Sequence, residues 1–257
     1  MLSGGSSVFQ IMNINPNTSA ATRPRVKPGI FALCIFASVL SWSANAQQPG
    51  LFEYEASYAV RLDELELGTS HRKVTFNDNV YTSVHTVKPN SLAVMFGEKP
   101  YQQTSQFTIY ESSVFMLESK LEGKDSNPSA VFDWDNSKIV LGNGNSVVLD
   151  SKQYLDFEGW MASLQAIDVE QIADTPFFIV QSNKIQEYQY VSVKAALYNV
   201  EGTDVDSWLV EMRRVDKENE GFRVWIVSQY RSIPVKIQRF KKGKELTFSI
   251  QSLRWLN

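Results

Sequence analysis

From Phe52 onward the chain alternates apolar and polar residues with a period of two. In FEYEASYAVRL, Phe52, Tyr54, Ala56, Tyr58, Val60 and Leu62 share one parity, and Glu53, Glu55, Ser57 and Arg61 share the other. A strand built from this run has one apolar and one wet face. SHRKVTFNDNVYTSVHTV predicts two further strands hinged at Asn77-Asp78-Asn79. The runs QTSQFTIY, SVFMLESKLEG, AVFDWD, KIVLG and SVVLD follow, separated by Glu-Ser-Ser, Lys-Asp-Ser-Asn-Pro, Asp-Asn-Ser and Gly-Asn-Gly-Asn. Those separators are turn residues, because Gly and Asn accept positive φ and Asx side chains close local turns. A second group comprises FFIVQ, KIQEYQYVSVKAAL, SWLVEMRRV, GFRVWIVSQY, IPVKIQRF and ELTFSIQSLRWL. In its last hairpin Val235 and Ile237 alternate with Lys236 and Gln238, Pro234 stands at a strand start, and Lys241-Lys242-Gly243-Lys244 forms a solvated turn.

Two segments break the strand period. SLAVMF, at 91–96, has an Asn-Ser start and a Gly97 stop, which predicts one or two helical turns. In DFEGWMASLQAID, Phe157, Trp160, Met161, Leu164 and Ile167 follow the spacing of a helix face, with Asp156 placed to cap it. This helix, 156–168, falls between the two strand groups, as a lid across a curved sheet or a plug at its end. The expected fold is mainly β: a large curved antiparallel sheet or half-open barrel of roughly ten to eleven strands with one main helix.

Composition adds location. The chain has 257 residues, 43% hydrophobic and 21% charged, as a globular protein does. RPRVKPGIFALCIFASVLSWSANAQ has a basic start (Arg23, Arg25, Lys27), an apolar run from Ile30 to Leu40 and an Ala44-Asn45-Ala46 cleavage site. We expect a signal peptide with an N-terminal extension over 1–46, cut after Ala46, and a single β-rich periplasmic domain over 47–257. The apolar run is shorter than the about 20 residues needed to span a bilayer, so no transmembrane span is expected in the mature chain. An uncut N-terminal anchor is the alternative. The single cysteine, Cys34, lies inside the apolar run, so the mature chain forms no disulfide and no cysteine metal site. Arg23, Arg25 and Lys27 leave with the signal, so the 25 basic residues fall to 22 against 28 acidic ones, a charge of −6. No basic face marks the chain for nucleic acid.

Candidate chemistry is sparse. His71 and His85 fall at the strand parity opposite most apolar residues, which reads as solvated. Asp133, Asp135 and Ser137 resemble the start of a calcium loop, but Lys138 stands where Gly is needed and Gly144 where a bidentate Glu is needed, so a β-turn is expected. No phosphate loop follows a strand, and no G-x-S-x-G elbow occurs. Asp156 and Glu158 could form a carboxylate pair, yet Asp156 already has a capping role. No catalytic residue, cofactor or metal site is therefore expected.

The stretches YEASYAVRLDELELGTSHRKVTF, SQFTIYESSVFMLESKLE, FDWDNSKIV and WIVSQYRSIPVKIQRFKKGKELTFSIQSL together resemble the bacterial family of domain of unknown function 3108, from about Phe52 to Trp255. The resemblance implies an exported, mostly periplasmic β protein with no assigned activity and no catalytic residues to carry over. The terminal hairpin, with Trp225 followed by Pro-Val-Lys-Ile at 234–237, is similar to a segment of the periplasmic lipoprotein carriers, whose half-open barrel covers an apolar cavity with helices.

The leading expectation is a non-enzymatic binding module for a lipid or other apolar ligand of the cell envelope; the alternatives are an envelope scaffold with a protein partner and, last, a glycan hydrolase. A carrier needs an open concave face beneath the helix, typically about 300–1,000 Å³. Strand parity nominates Tyr54, Tyr58, Trp160, Leu164, Trp208 and Trp225 to line it, although aromatic residues on an inner face more often fill a core.

Overall fold

The computed structural model describes residues 51–123, 129–167, 169, 172, 176–181, 183–200 and 202–256. The expected signal peptide over 1–46 lies outside them. The described residues, from Leu51 to Leu256, belong to one compact unit.

The first group of strands is β1 (Tyr54–Leu62), β2 (Leu65–Asn77), β3 (Val80–Pro89), β4 (Tyr101–Tyr110), β5 (Ser113–Glu122), β6 (Ser129–Asp133), β7 (Lys138–Leu141) and β8 (Ser146–Val148). After β9 (Gln153–Leu155) come β10 (Phe177–Gln181), β11 (Lys184–Val200), β12 (Thr203–Arg214), β13 (Lys217–Val227), β14 (Ile233–Lys241) and β15 (Lys244–Trp255). Helix α1 (Ser91–Met95) links β3 to β4, and α2 (Phe157–Ala166) follows β9. The hinge at 77–79 is a tight hairpin, with Asp78 at φ 50° and Asn79 at φ 64°, as a two-residue primed turn requires. Lys242 and Gly243, at φ 51° and 77°, make the last hairpin the same way.

All fifteen strands belong to one sheet in the order β8-β7-β6-β5-β4-β3-β2-β1-β15-β14-β13-β12-β11-β10-β9. Two meanders thus run outward from a central pairing of β1 with β15, which are antiparallel from Tyr54↔Trp255 to Leu62↔Leu246. The expectation of ten to eleven strands is corrected to fifteen among the described residues. The strand-like runs of the sequence match fourteen of them, and the one they do not contain, β9, has three residues, too few to display a period. The antiparallel expectation holds except at β9, which pairs with β10 in parallel.

The sheet is open but strongly curved. Six of its pairings carry a register shift, including Ser57/Tyr58, Val60/Arg61, Tyr190/Ser192 and Trp225/Ile226. Each such bulge bends its strand and increases the local twist. The curl is sufficient to bring β9 against β5, with α2 packed on β4, β5, β9 and β10.

Helix α2 is capped as its sequence predicts, Asp156 Oδ1 accepting from Gly159 N at 2.7 Å. It is not the amphipathic lid of a surface sheet. Every residue from Glu158 to Leu164 is buried, Trp160 and Leu164 completely. Trp160 sits among Phe157, Phe177 and Phe222, with ring centroids 5.6–6.4 Å apart, and its indole N–H donates to Tyr190 Oη at 3.0 Å. Truncating an aromatic packed this way costs about 3–5 kcal/mol. Around it, Leu155, Ile179, Val210, Met212, Val224, Ile226 and Ile237 complete an aliphatic half-core.

Candidate functional site

The inner face of β2, β3 and β4 carries a polar patch, in contrast to the aliphatic half. Ser70 and Arg72 of β2, Ser83 and His85 of β3 and Ser105 of β4 are all buried. Register explains why they meet: Arg72 pairs with His85, and Ser83 with Ser105. They converge on the first turn of α2, where Glu158 is buried.

Each oxygen of Glu158 has two partners. Oε1 accepts from Arg72 Nη2 at 3.0 Å and faces His85 Nδ1 at 3.2 Å. Oε2 accepts from Ser83 Oγ at 2.8 Å and stands 2.8 Å from Arg72 Nε, a contact too far off axis to be a hydrogen bond. The second imidazole nitrogen, Nε2, lies 3.1 Å from Ser70 Oγ. Burial alone would raise the Glu158 pKa, but Arg72 and then His85 outweigh it and hold the carboxyl well below its usual range. For Arg72 burial acts against the charge, and Glu158 with Tyr58 and Tyr54 more than restores it, so its pKa is raised.

Asp156 is the counterpoint. Its Oδ2 accepts from Gln103 Nε2 at 3.0 Å and from the Ser105 hydroxyl. Burial dominates here and pushes its pKa up against those hydrogen bonds and the cap. The two carboxylates are 0% and 2% exposed, and their oxygens are occupied by protein donors. Chemically this constellation is a clamp that fixes the N-terminus of α2 to β2, β3 and β4. Among the described residues, no group of three or more His, Asp or Glu is arranged to hold a metal ion.

The residues nominated from sequence divide. Tyr54, Tyr58, Trp160 and Leu164 lie together on the concave side, fully packed: the Tyr58 hydroxyl donates to Pro234 O at 3.0 Å, and Gln165 Nε2 donates to Tyr54 Oη at 3.3 Å. Trp208 shares that face, opposite Ile226, but is only partly covered. Trp225 points to the convex side, opposite Leu209, with Lys236 Nζ 4.6 Å from its ring centroid. A cavity of about 390 Å³ is lined by Asp63, Arg213, Arg223, Phe240 and Glu245 near the hairpin turns. Its two arginines are already engaged by Glu211 at 2.7 and 3.0 Å.

His71 is exposed, as its parity suggests. His85 is corrected: it is buried against Glu158, because the inner face it occupies is polar rather than wet. The 133–138 segment is a hairpin turn in which Asp133 Oδ1 accepts from Asn136 N at 3.1 Å.

No family model matches the chain, and no curated protein matches it. Its fold does have a counterpart. The chain is similar to a solved β-barrel-like protein of the domain of unknown function DUF1849 from Brucella abortus, with a TM-score of 0.50 at 10% identity, over 81% of this chain and 99% of the other. That likeness supports a β-barrel-like fold among domains of unknown function, and does not extend to family 3108 in particular. Among the described residues no helix is long and apolar enough to cross a membrane.

Outside the core, one apolar group is unusually open. Helix α1 is capped by Asn90, whose Oδ1 accepts from Ala93 N at 2.9 Å, and Ala93 alone of its residues is buried. Met95 and the following Phe96 are 83% and 74% exposed, beside Leu92 and Val94. Sequence marked this segment as helix without revealing that its apolar residues face outward, since five residues are too few to define a face.

Proposed function

We propose that this chain is an exported, non-enzymatic interaction protein of the bacterial envelope, acting through its outer surface and strand edges. One observation carries the reading: the concave face is occupied by α2, with Trp160 and Leu164 wholly buried and the helix N-terminus clamped through Glu158 and Arg72. An apolar ligand would have to displace that helix, breaking a buried ion pair worth about 3–5 kcal/mol when one partner is lost and unpacking Trp160 at a similar cost. The saturated, buried carboxylates argue in the same way against glycan hydrolysis, which needs a substrate-accessible pair. Export and a periplasmic location are supported by the n-region, apolar run and Ala44-Asn45-Ala46 site, and the resemblance to family 3108 belongs to the same proposal. The exposed Leu92, Val94, Met95 and Phe96 offer a contact surface of the kind that marks interaction sites.

The test is native mass spectrometry and lipid extraction of the protein recovered from the periplasm of cells that export it. We expect no stoichiometric lipid. A photo-crosslinker at Phe96 is expected to yield a discrete protein adduct, weakened by Met95→Ser. Co-purifying lipid lost on Trp160 substitution would overturn the reading in favour of a carrier.

A further inference from the structure

We infer that the open edge of β11 pairs with the same edge of a second copy of this chain, joining the two sheets into one across a two-fold axis. The proposal rests on the interaction reading above and names its partner. Strand β11 runs from Lys184 to Val200, but β10 covers it only from Lys184 to Tyr188. On the other side β12 pairs with it as far as Val200↔Thr203. From Gln189 to Val200 the described structure therefore gives β11 a strand partner on one side only, over about 40 Å at about 3.4 Å per residue. An edge of that length is a template for another strand, and folded proteins usually blunt such edges with bulges, prolines or several charges. Here the blunting is slight: one bulge at Val191, no proline and a single charge, Lys194, within YVSVKAALYNV.

The sequence of the edge selects its occupant. Val193, Ala195 and Leu197 share the face of Val210 and Trp208, whereas Ser192, Lys194, Ala196 and Tyr198 share the other. A two-fold axis perpendicular to the sheet preserves faces, so residues on one face of one copy meet residues on the same face of the other. Centred on Ala196, the pairing sets Leu197 opposite the second copy's Ala195 and Lys194 opposite its Tyr198. Leu197 is 64% exposed in the single chain and would be covered. A centre on Lys194 would oppose two like charges directly, and one on Ala195 would make them diagonal neighbours, both unfavourable. The centre on Ala196 separates the lysines and gives each an aromatic partner, as strand-addition interfaces require of their side-chain pairs.

Analytical ultracentrifugation of the mature chain tests this. We expect a reversible dimer, with Ala196→Lys and Ala196→Glu each weakening it at least tenfold, because like charges then face each other at the axis. Circular dichroism checks that both variants stay folded, and an equimolar mixture of the two is expected to recover the dimer as a heterodimer. A wild-type chain that stays monomeric to millimolar concentration overturns the inference, as does a dimer indifferent to Ala196→Lys or a mixture that fails to recover. A monomer that still forms the Phe96 adduct would sink the pairing while leaving the interaction reading standing.

Discussion

Replacing Glu158 by Gln keeps the volume and the acceptor for Ser83 but removes the charge that Arg72 and His85 face at 3.0 and 3.2 Å. Arg72 is then a guanidinium 1% exposed with no counter-charge. Removing one partner of a buried pair costs about 3–5 kcal/mol. With a urea dependence of about 2–3 kcal/mol per M, the midpoint of unfolding should fall by about 1.5 M. Equilibrium urea titration followed by tryptophan fluorescence reads this directly, since Trp160 lies in the same helix. The companion variant Arg72→Met leaves Glu158 its His85 and Ser83 partners but strips its main counter-charge, and should cost a similar amount. Combining both substitutions removes both charges and leaves chiefly His85 short of an acceptor, a penalty of about 1–3 kcal/mol. The double variant should therefore be more stable than the sum of the singles predicts by at least about 2 kcal/mol. A loss below about 1 kcal/mol for Glu158→Gln, or strict additivity, would refute the idea that this clamp holds α2 in the sheet.

Two further outcomes follow from the same region. Glu158 has a folded pKa below its ordinary 4.5, so the stability it contributes is present above that value and is lost as pH falls toward the folded value. Asp156, raised by burial, has the opposite sign and recovers stability on acidification. Urea midpoints between pH 7 and pH 3 should then fall less steeply in Glu158→Gln and more steeply in Asp156→Asn than in the parent, and identical slopes would contradict both assignments. Gly159→Ala would drive a Cβ into Met116 Sδ, a side chain itself fully buried. We expect a loss of about 1–3 kcal/mol by thermal unfolding, partly relieved when Met116→Ala is combined with it. No relief would show that the crowding is elsewhere.

Much of the fold is legible in the sequence where a single rule acts. The alternation from Tyr54 to Val60, the Asp78-Asn79 hinge, the Asp156 cap and the Gly243 turn all appear where local chemistry puts them. What is not legible is which polar residues are inside. Ser70, Arg72, Ser83, His85 and Ser105 have the parity pattern of a solvated face, and only the register of three strands and the arrival of Glu158 make that face interior. One clue was present: β2 is polar on both faces, with Thr69, His71 and Lys73 on one and Ser70 and Arg72 on the other. A strand so placed near the centre of a sheet cannot bury an apolar face, so its inner residues must be satisfied by a charged partner. Of the nominated residues, Tyr54, Tyr58, Trp160, Leu164 and Trp208 face inward, but parity cannot tell a cavity from a packed core. Trp225 faces outward because it shares the parity of Arg223 within β13, and its ring there packs under Lys236, which an apolar-pattern reading does not distinguish from an inward ring.

The pairing of β1 with β15 sets how the chain assembles. Each meander is built from neighbouring hairpins and can form locally, but the two become one sheet only when strands from opposite ends of the described chain meet. That closure carries the largest loop entropy of any pairing and should govern the folding rate. It also brings Tyr54 and Trp255 side by side. A short linker between them, with new ends cut in the exposed segment at 150–152 between the edge strands β8 and β9, would make the slow pairing a local hairpin without turning another into a long-range one, and such a permuted chain should fold faster to the same structure.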